Sequence, residues 1–384
     1  MDTGAHFDKL SHFKIKFLSV MKEYPFYIKS TVILFGLILL TFILFTLHDI
    51  LVPLAFAAIL AILLNPLVSW FERMRIPKSV AIVLSMLIAI IFFGGILFFL
   101  SSQIMRFGDS IPILKEKFRG IIIELQVWLK NDFGISSEKQ MKYLNQAMEN
   151  SKPIVGRTLG TVFGVFGVVF LIPVYLFLFL FYKSLILNFL FQVWAEKNSN
   201  RVREILNQTK NAIQSYMVGL LIEAGIVATL NSVALLIIGV QYAVLLGVIG
   251  ALLNLLPYIG GLIAIALPLL VATVTETGYT TQFLILGAYL LIQFVDNNYL
   301  VPKIVSSKVQ INALISIVVV LLGGALWGFA GMFLSIPFVA VLKIIFDRVP
   351  EMKPWGALLG DEVPASSLAY KFRTSKKKSV AEKL

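Results

Sequence analysis

The chain has 384 residues, of which 58% are apolar and only 14% are charged, and its mean hydropathy is +0.89. Ordinary globular proteins are about 45–50% apolar, so this composition excludes a soluble domain. Disorder is excluded as well, because disordered chains combine low hydrophobicity with high net charge. Since the chain has no cysteine, a disulfide scaffold, thiolate catalysis and cysteine-ligated metals are also excluded. A polytopic membrane protein remains.

Three apolar stretches follow a basic N-terminal segment, residues 1–30. They run over 31–47, 51–70 and about 79–100, and the first has 17 residues without a charge, which is near the lower limit for a spanning helix. No small-residue cleavage site follows the first stretch, so we interpret it as a span and not as a signal peptide. Residues 31–101 are therefore predicted to hold three membrane helices.

Charged residues return in 102–152, where apolar residues recur every three or four positions up to Gly134. This spacing predicts an amphipathic helix. A solvated extracytoplasmic module and a helix lying on the bilayer surface both fit the pattern. A fourth membrane helix is predicted over 153–182, and an amphipathic cytoplasmic segment over 183–216.

The next part, residues 217–347, is predicted to form a transport core. A fifth span ends near residue 239, and 243–275 then supplies 33 residues without a charge. That stretch is too long for one ordinary span and too short for two spans of about 20 residues each and a turn. Proline and glycine interrupt it, so two half-helices meeting inside the membrane are predicted. The predicted hairpin tip consists of Pro257, Tyr258, Gly260 and Gly261.

A second stretch of the same kind follows a seventh segment at about 281–301. Residues 309–342 are 34 uncharged residues, and they predict a second hairpin. Kinks in two long tilted helices are the alternative for both stretches. The glycines that interrupt the second stretch are Gly323, Gly324, Gly328 and Gly331.

The distribution of lysine and arginine predicts the topology. The connections 48–50, 240–242 and 276–280 contain neither residue, whereas 24 of the 33 basic residues lie in the segments on the other side. The positive-inside rule places the basic segments in the cytoplasm, including both termini and the basic tail 348–384. The predicted fold is therefore all-α, with about eight membrane segments that include two re-entrant hairpins of opposite orientation.

Polar residues inside the predicted spans are the candidates for a substrate or ion site. An intramembrane carboxylate costs about 2.5–3.5 kcal/mol at the centre of a helix, and such residues are typical of ion and proton pathways. A position at the inner interface is the alternative for both carboxylates, and packing between helices is the alternative for the asparagine of the first hairpin. The candidates are Asp296 with its neighbours Gln293, Asn297 and Asn298, together with Glu223 and Asn254.

The segment from GVQYAVLLGVIGALLNLLPYIGG to DNNYLVPKIVSSKVQINALISIVVVLLGGALWGFAG resembles the autoinducer-2 exporter (AI-2E) family of bacterial membrane transporters. The resemblance is most specific over residues 239–347, and it departs from the common family pattern at Gly261, where proline often stands. It implies about eight membrane segments, export of a small polar molecule such as autoinducer-2, sodium/proton exchange in some members, and homo-oligomers, among which a pentamer is one candidate. It also implies the bacterial inner membrane.

Other functions are not supported by motifs. The chain has no G-x-x-x-x-G-K-[ST], H-E-x-x-H or G-x-S-x-G sequence, so neither an enzyme nor ATP-driven transport is predicted. No cofactor and no metal site is predicted, because the histidines, His6, His12 and His48, lie outside the long apolar segments. The basic residues flank apolar runs, and nucleic acid is therefore not an expected partner. A channel or an oligomeric scaffold is the rival from another class.

Overall fold

The computed structural model describes residues 25–133, 171–194, 199–255, 260–275, 278–305 and 311–361. Every regular element within these ranges is helical, which confirms the predicted all-α class. Among the described residues, six helices are long and apolar enough to cross a bilayer, and a bent pair of helices provides a seventh if it is counted as one span. The total of about eight segments stays a prediction.

The chain packs as two units, Met1–Leu51 and Val52–Leu384. In the first unit, helix α1 spans Phe26–Thr46 and has no buried residue. It is apolar on all sides, with a mean hydropathy of 2.4 in its most apolar window. A helix of this kind is stable in contact with lipid or with other membrane helices and not with water.

The remaining helices belong to the second unit, except that the first turn of the helix His48–Arg73 lies in the first unit. They are α2 (His48–Arg73), α3 (Lys78–Phe133), α4 (Leu171–Phe181), α5 (Lys183–Trp194), α6 (Ser199–Ile238), α7 (Ala243–Asn254), α8 (Gly260–Thr275), α9 (Thr280–Val295) with its π-helical continuation Asp296–Val305, α10 (Ala313–Arg348) and α11 (Lys353–Leu359).

Helix α3 runs without interruption through the boundary predicted at residue 102. Its 56 residues correspond to about 84 Å at 1.5 Å per residue, which is far longer than a hydrocarbon core of about 30 Å. The apolar part is Lys78–Met105, and the amphipathic part continues the same helix to Phe133, one residue before Gly134. The first half of the predicted module is thus an extension of the third membrane helix.

Two other predicted boundaries fall at a bend between two helices and in the interior of one helix. At the predicted boundary between 182 and 183, α4 and α5 meet at an angle of 65°, and Lys78 stabilises the end of α4 because its Nζ donates to the carbonyl of Phe181 at 2.7 Å. At residue 217 no break occurs. Helix α6 has 40 residues, because the amphipathic stripe before residue 217 has the same period as the apolar span after it.

One hydrophobic core is built by α6, α7, α8 and α9. Leu235, Leu246, Val271 and Ile285, one from each helix, belong to a single buried cluster. Glycine permits a close contact between α6 and α7, since a Cβ on Gly247 would lie 2.5 Å from the backbone nitrogen of Ser232. Helices α6 and α7 therefore pack backbone to backbone, as small residues allow in membrane proteins.

Helices α7 and α8 form a hairpin. A Cβ on Gly250 would lie 3.5 Å from the Cβ of Ala264, and a Cβ on Gly260 would overlap the carbonyl oxygen of Leu253. The contact between Gly260 and Leu253 places the end of α7 beside the start of α8. The contact between Gly250 and Ala264 lies further from the tip, as expected of antiparallel helices. The re-entry of this hairpin from one membrane face stays a prediction.

Helix α10 also doubles back on itself. Trp327 and Gly328 have non-helical backbone angles, and Gly328 has a φ of 61°, which glycine adopts without a steric penalty. The Oγ of Ser335 lies 2.9 Å from the carbonyl oxygen of Val319, whereas 16 residues of straight helix would separate them by about 24 Å. The alternative of a kinked, tilted helix does not describe this segment, because its two arms lie side by side.

Candidate functional site

A cavity of about 750 Å³ lies where α6, the α7–α8 hairpin, α9 and α10 meet. This volume is in the range of sites for small organic ligands. Apolar residues such as Leu220 and Ile265 form part of the wall. Its polar lining residues are Tyr216, Glu223, Asn254, Tyr289, Gln293, Asp296, Asn297, Ser316 and Asp361.

The central contact of the cavity joins the tip of the hairpin to α9. The Nδ2 of Asn254 donates to Oδ2 of Asp296 at 2.7 Å. Asp296 is only 2% exposed, and its other oxygen, Oδ1, has no hydrogen-bond partner within the described ranges. Asn254 is the last residue of α7, so the break between α7 and α8 is what allows its amide to reach Asp296.

Local helix geometry presents the polar residues of α9 to the cavity. Tyr289, Gln293 and Asp296 follow each other at spacings of four and three, which places them on one helix face. At Asp296 the helix changes from α to π and stays so to Val305. Such π-helical segments are rare and are frequent at functional sites.

Glu223 is the second carboxylate of the cavity and comes from α6. It is 5% exposed, and the buried Tyr216 lies two turns before it on the same helix. Both residues line the same cavity as Asp296. A position at the inner membrane interface, the alternative for Glu223, concerns its depth in the membrane and stays open beside this burial.

A second, small cavity of about 10 Å³ is also lined by Asp296, and its size accommodates about one water molecule. Three buried oxygens that line it have no partner among the described residues, namely Oδ1 of Asn231, the hydroxyl of Tyr289 and Oδ1 of Asp296. Buried polar atoms without a partner are costly. They are therefore available to a water molecule, a proton or a small cation.

The remaining predicted polar residues are distributed as follows. Asn297 and Gln293 line the large cavity, and the two side chains lie 3.4 Å apart. Asn298 does not line it, because its Nδ2 donates to the carbonyl of Phe294 in its own helix at 2.8 Å. Gly261 lines the cavity, and a Cβ there would lie 2.7 Å from Oε1 of Gln293.

The predicted hairpin tips are not equally close to the site. Pro257 and Tyr258 lie outside the described residues, and Gly260 is buried in the contact between α7 and α8. The glycines of the second hairpin serve packing instead, since the arms of α10 touch through them. They are Gly323 against Gly331 and Gly324 against Met332, with Gly328 at the turn.

The carboxyl groups that line the large cavity have no basic residue beside them in the described lining. Its lining contains the carboxyl groups of Glu223, Asp296 and Asp361, and no lysine, arginine or histidine is found among the described lining residues. Within the described part of the chain, no group of three or more metal-ligating side chains comes together. The arrangement suits binding of a polar or cationic molecule through oxygen atoms and amides.

Sequence reasoning missed several residues of the site. Tyr289 was detectable, because it shares a helical face with Gln293 and Asp296. Asn231 was not among the predicted candidates, although it lines the small cavity. Asp361 gave no signal, since its proximity to the cavity depends on how the chain folds after α10.

Comparison with known proteins agrees with this architecture. The sequence model of the family described as "AI-2E family transporter" matches residues 32–351 of this chain. The chain belongs to the AI-2E transporter family. Among similar proteins, AI-2 transport protein TqsA of Escherichia coli (strain K12) is 26% identical over 319 residues, which cover 82% of this chain and 90% of TqsA.

Two further relatives extend the comparison. YhhT of Escherichia coli (strain K12) is 26% identical over 325 residues, covering 83% of this chain and 90% of YhhT. YrrI of Bacillus subtilis (strain 168) is 23% identical over 320 residues, covering 79% of this chain and 87% of YrrI. The resemblance inferred from the sequence is thereby confirmed. The protein is a multi-span membrane transporter of a bacterial family and not an enzyme.

Proposed function

We propose that the protein is a secondary transporter that exports a small polar molecule through the large cavity and couples this movement to an ion gradient at Asp296. The name of the relative TqsA makes autoinducer-2 the first substrate to test. The bacterial inner membrane, with both termini in the cytoplasm, is part of the proposal. Here the chain would contact its substrate and the lipid bilayer.

One observation carries the proposal. Asp296 is buried, and one of its oxygens accepts a hydrogen bond from Asn254 at the tip of a broken helix pair. Its other oxygen has no partner among the described residues. Asp296 also lines a cavity that is large enough for a single water molecule or ion. Because Asp296 borders both cavities, a proton or cation bound there would be adjacent to a molecule in the large cavity. Broken helices around an ionisable residue are typical of sites in secondary transporters.

The test uses purified protein in proteoliposomes with autoinducer-2 as the transported compound. We expect flux that saturates with concentration and increases with an imposed proton or sodium gradient. Flux that rises linearly with concentration and ignores both gradients would instead indicate a channel. Separate proton and sodium gradients identify the coupling ion.

The first variant is Asp296→Asn, which keeps the size of the side chain and its ability to accept from Asn254. We expect normal insertion and elution, with a loss of gradient-dependent flux of at least about tenfold, since the group that binds the proton or cation is removed. The matched control is Asp132→Asn, which removes an exposed carboxylate of α3. Unchanged gradient dependence in Asp296→Asn would contradict the coupling role.

A homo-oligomer is also proposed, with a pentamer as one candidate. Its support is the exposed apolar surface of α1, in which Phe35 and Phe42 are 61% and 64% exposed. Such a surface can face lipid or a second copy of the chain. Native mass spectrometry in detergent measures the subunit number, and a purely monomeric species at all detergent concentrations would contradict this part of the proposal.

A further inference from the structure

The chain after α10 is tied to the start of α10 by Asn312. The Nδ2 of Asn312 donates to the carbonyls of Leu358 and Gly360 at 2.8 and 2.9 Å. Its backbone N–H donates to the carbonyl of Leu359 at 3.1 Å. One residue therefore makes three hydrogen bonds to the end of α11 and the turn that follows it.

Asn312 has a second, separable role at the same place. Its Oδ1 accepts the backbone N–H of Ile315 at 2.9 Å, which is the hydrogen bond of a helix N-cap. The cap uses the oxygen of the amide and the docking uses its nitrogen. A residue that keeps the oxygen and lacks the nitrogen would leave α10 capped and remove two of the three hydrogen bonds to α11 and its turn.

The other side of α11 is packed just as closely. A Cβ on Gly356 would overlap the carboxylate of Asp347 and lie 3.0 Å from its backbone nitrogen, so α11 packs closely against the last turns of α10. Asp347 in turn forms an ion pair with Lys343 at 2.6 Å. Helix α11 is thus fixed at both ends of the folded-back helix α10.

This docking brings Asp361 to the large cavity. Asp361 follows Gly360 directly, is exposed to solvent and lines the cavity together with Ala313 and Ser316 from the first turn of α10. Its exposure places it at the open side of a cavity whose inner carboxylates, Glu223 and Asp296, are buried. Any solute that enters from this side passes a carboxyl group.

We propose that Asp361, positioned by Asn312, is a specificity-determining residue that disfavours negatively charged solutes at the cavity mouth. Charges of one sign that line a cleft with apolar walls change the local concentration of charged solutes by large factors. The cavity would therefore select neutral polar or cationic molecules over phosphates, sulfonates and carboxylates. This proposal rests on the large cavity being the transport path, as proposed above.

The test measures the charge preference of the cavity without transport. The chain has no native cysteine, so Ser316→Cys creates a single reactive thiol in the cavity wall. The full-length protein in nanodiscs, where both faces are accessible, is treated with 2-(trimethylammonium)ethyl methanethiosulfonate or with its anionic 2-sulfonatoethyl analogue. The ratio of the two modification rates reports the local potential, because effects on thiol reactivity cancel in the ratio.

Two variants in the Ser316→Cys background separate charge from docking. Asp361→Asn removes the charge, and we expect the cation-to-anion rate ratio to fall about threefold to tenfold. Asn312→Ser retains an N-cap oxygen and adds no charge, but its short side chain cannot reach Leu358 or Gly360. It should lower the ratio in the same direction by a smaller amount, because Asp361 loses two of the three hydrogen bonds that position it.

Glu351→Gln is the matched control, since it removes an exposed carboxylate from the turn before α11 that does not line the cavity. We expect its ratio to equal that of the parent. In the parent, raising the salt concentration should lower the ratio, since salt screens exposed charges.

A ratio in Asp361→Asn equal to that of the parent, or an equal fall in Glu351→Gln, would overturn the proposal. The result is independent of the transport assay. If the ratio falls as expected while proteoliposomes show no saturable flux, the charge filter stands and the proposed transport function is the part that fails.

Discussion

At the scale of single residues, the hydrogen bond between Asn254 and Asp296 links two segments that are 42 positions apart in the sequence. Neither residue is exceptional alone, since asparagine packs between membrane helices and an aspartate near a basic residue can be solvated. Their contact changes the interpretation, because a carboxylate that is 2% exposed needs donors to remain buried. The hydrogen bond therefore contributes to stability as well as to the site.

A double-mutant cycle tests this contribution. We expect Asn254→Leu to destabilise the protein by about 1–3 kcal/mol, because it leaves the buried carboxylate without its donor. Adding Asp296→Leu should restore part of that loss, so that the two changes are not additive. Thermal unfolding in detergent, followed by tryptophan fluorescence, measures the apparent melting temperature.

The control for this cycle is Asn298→Leu. Asn298 is exposed and donates only to a carbonyl of its own helix, so its replacement should change the melting temperature little. Strictly additive shifts for Asn254→Leu and Asp296→Leu would show that the two side chains do not interact in the membrane-embedded protein.

At the scale of helices, the two adjacent glycines at the start of α8 have different neighbours. A Cβ on Gly260 would overlap the backbone carbonyl of Leu253, whereas a Cβ on Gly261 would meet the side-chain amide of Gln293 at 2.7 Å. Backbone cannot move aside, but a glutamine side chain can adopt another rotamer. The requirement for glycine at position 260 comes from this close approach, because its backbone does not adopt the left-handed region.

We therefore expect the same substitution to impair folding at position 260 and transport at position 261. Gly260→Ala should lower stability by about 1–3 kcal/mol through overpacking and reduce the yield of folded protein. Gly261→Ala should fold with nearly normal yield but lower transport, because Gln293 is displaced from the cavity wall. Yield after size-exclusion chromatography and flux in proteoliposomes are measured for both.

Gly225→Ala provides the baseline, since a Cβ there meets nothing within 4 Å. It should match the parent in yield and flux. Equal effects of Gly260→Ala and Gly261→Ala on both measurements would mean that the two glycines have a common packing role.

At the scale of the whole molecule, the sequence was sufficient for the class of the fold, because long apolar stretches and their flanking charges depend only on local composition. Breaks at 254–260 and at 327–328 were also detectable, since glycine and proline mark them. The end of α3 and the continuity of α6 were not, because an amphipathic helix and a membrane span share one period.

Contacts between segments that are distant in the sequence could not be predicted either. The docking of α11 on Asn312, the position of Asp361 at the cavity and the partner of Asp296 all depend on tertiary packing. Single polar residues in apolar spans identify candidates, but the cavity that they share is determined by how five helices meet. Tyr289 shows the limit of the local pattern, since its helical face was readable from the sequence and its position beside both cavities was not.

The membrane topology supplies the last prediction, because the chain before α7 and the chain after α8 should lie on the same side of the membrane. Since the chain has no native cysteine, we expect Gln241→Cys and Tyr279→Cys to react with a membrane-impermeant maleimide added outside intact cells. Ser199→Cys, at the other end of α6, should react only after the inner membrane is opened. Both Gln241 and Tyr279 are exposed, so burial does not limit the reaction of a cysteine at either position with the maleimide. If Tyr279→Cys reacts from the side of Ser199→Cys and Gln241→Cys from the opposite side, then α7 and α8 together cross the membrane, and the re-entrant hairpin is wrong.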